Sequence, residues 1–269
     1  MLCITFDNFG CGSGRSLPTP RPNGVPESEW ASYNEIGLRL GHPRILDLLG
    51  ELGIKGTFFT EGYAAVLHPE ELLRWKDAGH EIALHGWKHE MWFRLDSENA
   101  EEDLVRLSMA AFHDVLGTSP VGFRPPGLAI NAWTEDVMAR NGIQYISHSL
   151  HSTAQDYEDM GFGEAKPGPL VEVGRLGLLP MDPKLCDAFL VRADHGGVLG
   201  EMTSDEAYEH FFLAALEHER RSPEKPWVFV AHPFISGNRA WLAFERFVRR
   251  LRSEFGADRF LLGRDAARR

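Results

Sequence analysis

The sequence predicts an α/β protein in which a parallel sheet closes, or nearly closes, into a barrel. Short apolar strands alternate with helical stripes along the chain, an alternation typical of parallel sheets. Polar segments follow several strands, and they come from both the first and the last third of the 269 residues. Segments so distant in sequence share one site more readily in a barrel than in two separate domains. No stretch resembles a linker, so we expect one catalytic domain over residues 1–269.

The elements follow in order from apolar periodicity and helix stop signals. Short apolar runs at 2–6, 55–60, 81–84, 121–123, 143–146 and 227–230 predict buried strands. Apolar residues recur at helical spacing over 45–52, before Gly53, and again over 72–75, before Gly79. Ser97 precedes acidic residues and is the predicted N-cap of a helix ending at 116. Helices are also predicted over 131–140, 206–220 and 240–252, with a last apolar segment at 260–262, while 148–200 shows no clear period.

Composition and charge favour a globular enzyme. Hydrophobic residues make up 43% of the chain, charged residues 25%, and the net charge of -11 argues against nucleic-acid binding, which needs concentrated Lys and Arg. No segment approaches the roughly 20 apolar residues of a membrane-spanning helix. The 3 cysteines are irregularly spaced, which indicates free thiols. The first strand begins too early for a secretory signal. We therefore expect a cytoplasmic protein without nucleic-acid or membrane partners.

Two polar segments follow strands in the first third of the chain. Asp7 and Asn8 come directly after the first strand. One interpretation is a general base followed by a neutral oxygen ligand for a metal, and the other is an Asx-turn that closes the strand. His85 and His89 have the spacing that places two rings on one side of a helix or tight turn, which suits a divalent metal. Alternatively, one of them caps a helix and the other faces solvent.

Two further segments follow later strands. Arg124 begins an Arg-Pro-Pro-Gly turn, whose prolines fix φ. A rigid Arg beside a carboxylate favours the ionised form and fixes its direction, whereas the alternative is a solvated surface Arg. His232 follows an apolar strand and precedes a proline, so it is either a structural histidine or a general acid. We expect these groups to converge at the C-terminal strand ends, namely Asp7, His85, His89, Arg124 and His232.

Three residues beside these motifs are candidate substrate contacts: Trp87, Pro126 and Trp133. Aromatic rings at such places stack on a sugar or another flat ring, although core packing is their commoner role.

Taken together, the four segments resemble the polysaccharide deacetylase family, also called NodB-homology or carbohydrate esterase family four. Residues 5–8 read Thr-Phe-Asp-Asn where the family has Thr-Phe-Asp-Asp, and 85–89 resemble its His-x-x-x-His segment. Residues 124–127 resemble its Arg-x-Pro-Gly-type turn, and His232 its final strand. The resemblance implies a distorted (β/α)7 barrel. It also implies Asp7 as base, His232 as acid, Arg124 as the group orienting Asp7, and zinc or a similar divalent cation bound by His85, His89 and Asn8.

Two departures from the family pattern affect the expected chemistry. The family's second Asp is usually the third protein ligand, and Asn8 brings no negative charge, so metal affinity should fall or the metal be dispensable. The family's Asp-rich fourth motif is missing where it is expected, since 145–149 read Tyr-Ile-Ser-His-Ser. The sequence therefore does not identify a carboxylate that supports His232.

The leading function is metal-dependent deacetylation of an N-acylated sugar or sugar-containing metabolite. Residues 35–41 and the long loop before them resemble a branch that contains cyclic-imide hydrolases, metal-independent allantoinases and a peptidoglycan deacetylase. That branch often forms tetramers, so the resemblance implies a homo-oligomer, either a dimer or a tetramer. The first alternative is a cyclic imide or ureide hydrolase with weak or no metal, which Asn8 favours. The second is a silent carbohydrate-binding barrel, against which the presence of both base and acid argues.

Overall fold

The computed structural model describes residues 1–7, 36–149, 174–197 and 200–267. Its strands are β1 (Leu2–Asp7), β2 (Thr57–Thr60), β3 (Glu81–Leu84), β4 (Gly122–Phe123), β5 (Tyr145–Ile146), β6 (Gly177–Leu178) and β7 (Trp227–Ala231). All paired strands are parallel, in the order β6-β5-β4-β3-β2-β1-β7. The sheet curls into a half-barrel with helices against it, which confirms the α/β class and the distorted (β/α)7 barrel.

Between β1 and β5, and again between β6 and β7, helices connect successive strands. The α-helices are α1 (His42–Leu52), α2 (Gly62–Leu67), α3 (Pro69–Asp77), α4 (Glu98–Leu116), α5 (Thr134–Arg140), α6 (Asp187–Leu190), α7 (Ser204–Arg221), α8 (Trp241–Phe255) and α9 (Gly263–Ala266). Short 3₁₀ or π-helical turns cover Gly37–Gly41, Trp92–Arg94, Pro183–Leu185, Ala193–His195, Ile235–Arg239 and Ala257–Arg259. Within the described ranges, these helices are too short or too polar to cross a membrane.

The two faces of the sheet carry different cores. On the outer face, Phe6 stacks on Phe58 with ring centroids 4.5 Å apart, and both rings meet Trp75 edge-on. Burial of each such side chain contributes about 1.5–3 kcal/mol. The inner face forms a second cluster that includes Cys3, Phe59, Ala83, Tyr145, Leu179 and Val228. Because side chains alternate along a strand, Asp7 leaves β1 on the same inner face as Cys3.

The end of the sheet is bridged by the segment after β6. Met181 pairs with Ser149 in parallel, and Cys186 pairs in parallel with Val230 of β7. Residues 181–186 therefore cross from the β6 edge of the sheet to the β7 edge. This crossing places the start of α6 beside the C-terminal end of β7.

Most predicted elements are present, with shifted ends. Gly53 is the left-handed C-cap of α1, and Ser97 accepts a hydrogen bond from Ala100 N at the start of α4, both as predicted. Helix α7 begins earlier than predicted because Thr203 and Glu206 form a capping box. Helix α2, strand β6 and helix α6 were not predicted, since elements of two to six residues are too short to show a period.

Candidate active site

Strand register brings the polar strand ends together. Phe6 pairs with Ala231, so Asp7 and His232 are the next residues on adjacent strands β1 and β7. Leu84 pairs with Phe123, so His85 and Arg124 follow side by side at the ends of β3 and β4. The C-terminal ends of parallel strands are where α/β barrels place their functional groups.

Asp7 and Arg124 form a buried ion pair. Arg124 Nη1 donates to Asp7 Oδ1 at 2.5 Å and to Thr5 Oγ1 at 2.8 Å. Its Nε and Nη2 both donate to Ser147 Oγ, and its guanidinium lies 4.0 Å from the centre of the Phe59 ring. Arg124 is completely buried and Asp7 is 3% exposed. The guanidinium is therefore held from three directions, and it fixes one carboxylate oxygen of Asp7.

His85 and His89 lie on one turn after β3, with ring centroids 5.0 Å apart. Gly86 permits the turn at φ 75°, and His89 itself has φ 64°, a conformation that costs a non-glycine residue energy. The Glu90 carboxylate accepts hydrogen bonds from the backbone N–H groups of Trp87 and Lys88, which closes the turn. The two rings are therefore brought together by a turn in which His89 has a strained backbone conformation.

Both imidazoles are neutral, and they suit a divalent cation. Burial lowers the pKa of His85 to about 3 and lowers the pKa of His89 well below its usual value. His85 Nδ1 donates to the Arg124 carbonyl at 2.8 Å, so its Nε2 carries no proton. His89 Nδ1 is buried and has no hydrogen-bond partner among the described residues. Neutral imidazoles with an available nitrogen are common metal ligands, so the donor chemistry fits such an ion.

His232 is protonated because of a carboxylate that follows the crossing segment. Its Nδ1 donates to Asp187 Oδ1 at 2.6 Å, and its backbone N–H donates to Oδ2 at 2.8 Å. Ser236 Oγ also donates to Oδ2, and the hydroxyl of Tyr208 lies 2.6 Å from Ser236 Oγ. Burial lowers the pKa of His232, but the charge and hydrogen bond of Asp187 outweigh burial and raise it well above the usual value.

Cys186 extends the Asp187–His232 cluster. Potential ligand atoms of these three residues all lie within 4.8 Å of one another. Both oxygens of Asp187 already accept hydrogen bonds, however, and His232 Nδ1 is one of the donors. Burial raises the pKa of the Cys186 thiol, so it is not a ready thiolate ligand. We therefore interpret the cluster as a hydrogen-bonded histidine–carboxylate pair rather than a metal site.

Charge interactions show that the histidine pair, Asp7 and His232 lie near one another. The pKa of His89 is lowered first by burial and then by the charges of His85 and His232, while Asp7 raises it. His232 likewise lowers the pKa of His85. These side chains come from β1, the β3 turn and β7, and Arg124 joins them through Asp7.

The remaining predicted residues differ in what surrounds them. Asn8 lies outside the described residues. Trp87 is half-buried and its ring meets Tyr63 edge-on, 5.4 Å between centroids, beside the histidine turn. Pro126 is buried, and its ring lies beside Gly86. Trp133 packs against the outer core and beside Glu101.

Comparisons with known proteins agree with this geometry. Residues 26–146 match the family model for polysaccharide deacetylase. A candidate polysaccharide deacetylase from Mycobacterium smegmatis superposes with a TM-score of 0.73 at 28% identity, covering 95% of this chain and 84% of the other. Residues 26–146 are therefore similar to polysaccharide deacetylases, and the fold of the chain is similar to that of the Mycobacterium smegmatis protein.

Other proteins similar to this chain include a peptidoglycan deacetylase of Helicobacter pylori, 27% identical over 118 residues. That match covers 44% of this chain and 40% of the relative, so the chain spans less than half of that protein. The fold is also shared with Puue allantoinase, with a TM-score of 0.70 at 20% identity, over 95% of this chain and 85% of the allantoinase.

The candidate site contains a carboxylate, Asp187, that the sequence did not reveal. The sequence analysis looked at residues 145–149 for a carboxylate that would hold His232. That position was wrong, because Asp187 is the carboxylate that accepts the hydrogen bonds of His232. Asp187 lies 45 positions before His232, in a stretch without clear periodicity. The one available signal was Cys-Asp-Ala-Phe after a Pro-containing turn, which is too weak to single out.

Replacement of Asp187 by Asn should shift the pH dependence of any hydrolysis that uses His232 as the acid. Without the carboxylate, the pKa of His232 loses the largest contribution that opposes burial, so it must fall. The alkaline limb of kcat/KM should therefore move to lower pH. A kcat/KM–pH profile measures this, with Asp194→Asn as control because that carboxylate is exposed and pairs with Arg192. If the alkaline limb does not move, Asp187 does not determine the pKa of the catalytic acid.

Proposed function

We propose that this protein hydrolyses an amide bond in an N-acylated sugar or sugar-containing molecule, with Asp7 as the general base and His232 as the general acid. The observation that carries the proposal is that the two groups follow adjacent paired strands and each is held by a partner of opposite charge. Arg124 pairs with the Asp7 carboxylate, while Asp187 pairs with His232 and raises its pKa. A carboxylate and an imidazole, each fixed by its own charged partner, can serve as base and acid in one reaction.

Asp7 would accept the proton of the attacking water. Arg124 occupies Oδ1, and among the described residues no hydrogen bond is directed at Oδ2. Oδ2 is therefore the oxygen left to take the proton. Burial of the ion pair excludes bulk water, so the direction of the carboxylate is fixed before the substrate arrives.

His232 would protonate the leaving amine nitrogen. Asp187 holds Nδ1, so the proton that can be delivered is the one on Nε2. The same carboxylate binds the backbone N–H of His232, which fixes the ring relative to the end of β7. Acid catalysis of this kind contributes about 10²–10⁴-fold.

A divalent cation, with zinc as the first candidate, fits at His85 and His89. Such an ion, when bound, would act as a Lewis acid on the amide carbonyl of the substrate. The neutral state of both imidazoles and the left-handed conformation of His89 support this assignment. Trp87, beside the turn, is the candidate ring for stacking on the substrate.

A cyclic imide or ureide hydrolase is the second candidate. It is favoured by Asn8, which removes a negative charge that would hold a metal. The shared fold with an allantoinase is compatible with it. In that reaction the same Asp7 and His232 would act on a more electrophilic ring carbonyl.

The deciding experiment is a substrate and metal screen with the purified protein. The protein is treated with a chelator and assayed alone and with Zn²⁺, Co²⁺ or Mn²⁺. One arm measures acetate release from N-acetylglucosamine and its oligomers, and the other measures ring opening of succinimide and allantoin. We expect metal-dependent acetate release. Ring opening without acetate release would replace the proposal by the second candidate, and no turnover with intact sugar binding would indicate the silent barrel.

A further inference from the structure

A fully buried glutamate lies beside the histidine pair and has no role in the chemistry described above. Glu61 directly follows β2, which lies between the strand of Asp7 and the strand of His85. Its side chain is 0% exposed.

The backbone directs Glu61 into the barrel. Phe58 packs in the outer core, and Phe59 packs in the inner cluster beneath Arg124. Glu61 lies two residues after Phe59 with φ -67° and ψ 135°, which continues the extended conformation. Since side chains alternate along a strand, Glu61 leaves on the inner face, as Phe59 does.

Strand pairing then puts Glu61 next to His85. His85 N–H donates to the Thr60 carbonyl at 2.9 Å, and Gly62 N–H donates to the Gly86 carbonyl at 2.9 Å. These two hydrogen bonds flank the Glu61–His85 pair, so the two residues lie opposite each other on strands about 4.8 Å apart. His85 is also an inner-face residue, two positions after Ala83.

The position of Glu61 is fixed from the other side as well. Gly62, the next residue, packs so closely on helix α4 that an added Cβ would lie 2.5 Å from Ser108 Cβ. The first turn of α2 is therefore in close contact with α4, directly after Glu61.

We infer that Glu61 is the third protein ligand, and the anionic one, of a divalent cation at His85 and His89. This inference rests on the metal site of the proposed function and extends it by one residue. Two imidazoles and one carboxylate form a common set of protein ligands for catalytic zinc. Asn8 supplies no charge, so Glu61 restores the anionic ligand that this chain lacks at position 8.

Ion binding draws the three side chains together. The ligand atoms of Glu61, His85 and His89 are not as closely grouped as those of Cys186, Asp187 and His232, which lie within 4.8 Å of one another. Glutamate has three side-chain torsions, so its carboxylate can swing to the ion without backbone movement.

The test measures metal affinity rather than activity. Chelator-treated wild type, Glu61→Gln and Glu81→Gln are titrated with Zn²⁺ against a competing fluorescent chelator. Glu81 is the matched control because it is also a buried inner-face glutamate, 2% exposed, but it lies at the opposite end of β3. We expect Glu61→Gln to weaken the affinity by about 100-fold or more, above the 10–100-fold of outer-shell partners. Glu81→Gln should retain wild-type affinity.

The outcomes separate this inference from the proposed function. If wild type binds Zn²⁺, and His85→Ala abolishes binding while Glu61→Gln does not change it, the role of Glu61 is overturned and the metal site stands. If wild type binds no metal, the metal site itself is wrong. Should Glu61→Gln fail to fold, Glu61→Cys loaded with Co²⁺ decides: a thiolate-to-cobalt charge-transfer band absent from wild type supports the contact, and its absence overturns it.

Discussion

Asp7→Asn should reduce turnover by about 10²–10⁴-fold, the contribution of a general base. The amide keeps the shape of the carboxylate and can still accept the Arg124 hydrogen bond through its oxygen. It cannot take the proton of water at working pH. Arg124 also keeps its bonds to Thr5 and Ser147 and its contact with Phe59, so the barrel mouth should hold its shape.

The measurement is kcat on the substrate identified by the screen, together with circular dichroism and metal content. Asp205→Asn is a suitable control because that carboxylate is exposed and pairs with Arg246 on the surface. We expect wild-type folding and metal content in both variants, and loss of turnover only in the first. Near-wild-type activity of Asp7→Asn would exclude Asp7 as the base and direct the search first to His232.

Arg124→Ala should destabilise the protein by about 3–5 kcal/mol, the usual consequence of removing one partner of a buried ion pair. The sequence analysis interpreted Arg124 as the group that orients Asp7. The structure adds a role in stability, because Arg124 is completely buried and connects the end of β4 to Thr5 on β1 and Ser147 after β5. Its loss leaves the Asp7 carboxylate buried without a cation and the two hydroxyls without their donor.

Urea unfolding measures this free energy directly. Arg249→Ala provides the comparison, since Arg249 pairs with Glu51 and Glu245 at the surface, where such pairs contribute about 0–1 kcal/mol. A double-mutant cycle with Asp7→Asn isolates the pair itself, because Asp7 and Arg124 are in direct contact. Equal effects of Arg124→Ala and Arg249→Ala would contradict the buried ion pair.

Much of the fold could be predicted because strand and helix patterns are local. Apolar runs such as Trp227–Ala231 and the helical stripe before Gly53 carry their own periodicity. The strands of two residues, such as β6, do not, and they exist only because the neighbouring strand supplies their hydrogen bonds. Helix α2 likewise depends on Gly62 packing against Ser108 of α4, a contact far apart in sequence.

By itself, the sequence determined which polar residues end the strands, since residue type and place after an apolar run are local properties. Asp7, His85, Arg124 and His232 were all identified in this way. The tertiary structure alone decided which further carboxylates reach them. Asp187 meets His232 because residues 181–186 cross to β7.

The position of Glu61 beside His85 likewise depends on a contact between segments that are distant in the sequence. Glu61 faces His85 because β2 and β3 pair in one register. Such contacts depend on which strands are neighbours and on which side chains face the interior of the barrel. Both are determined by the packing of the whole barrel and not by any short segment of the sequence.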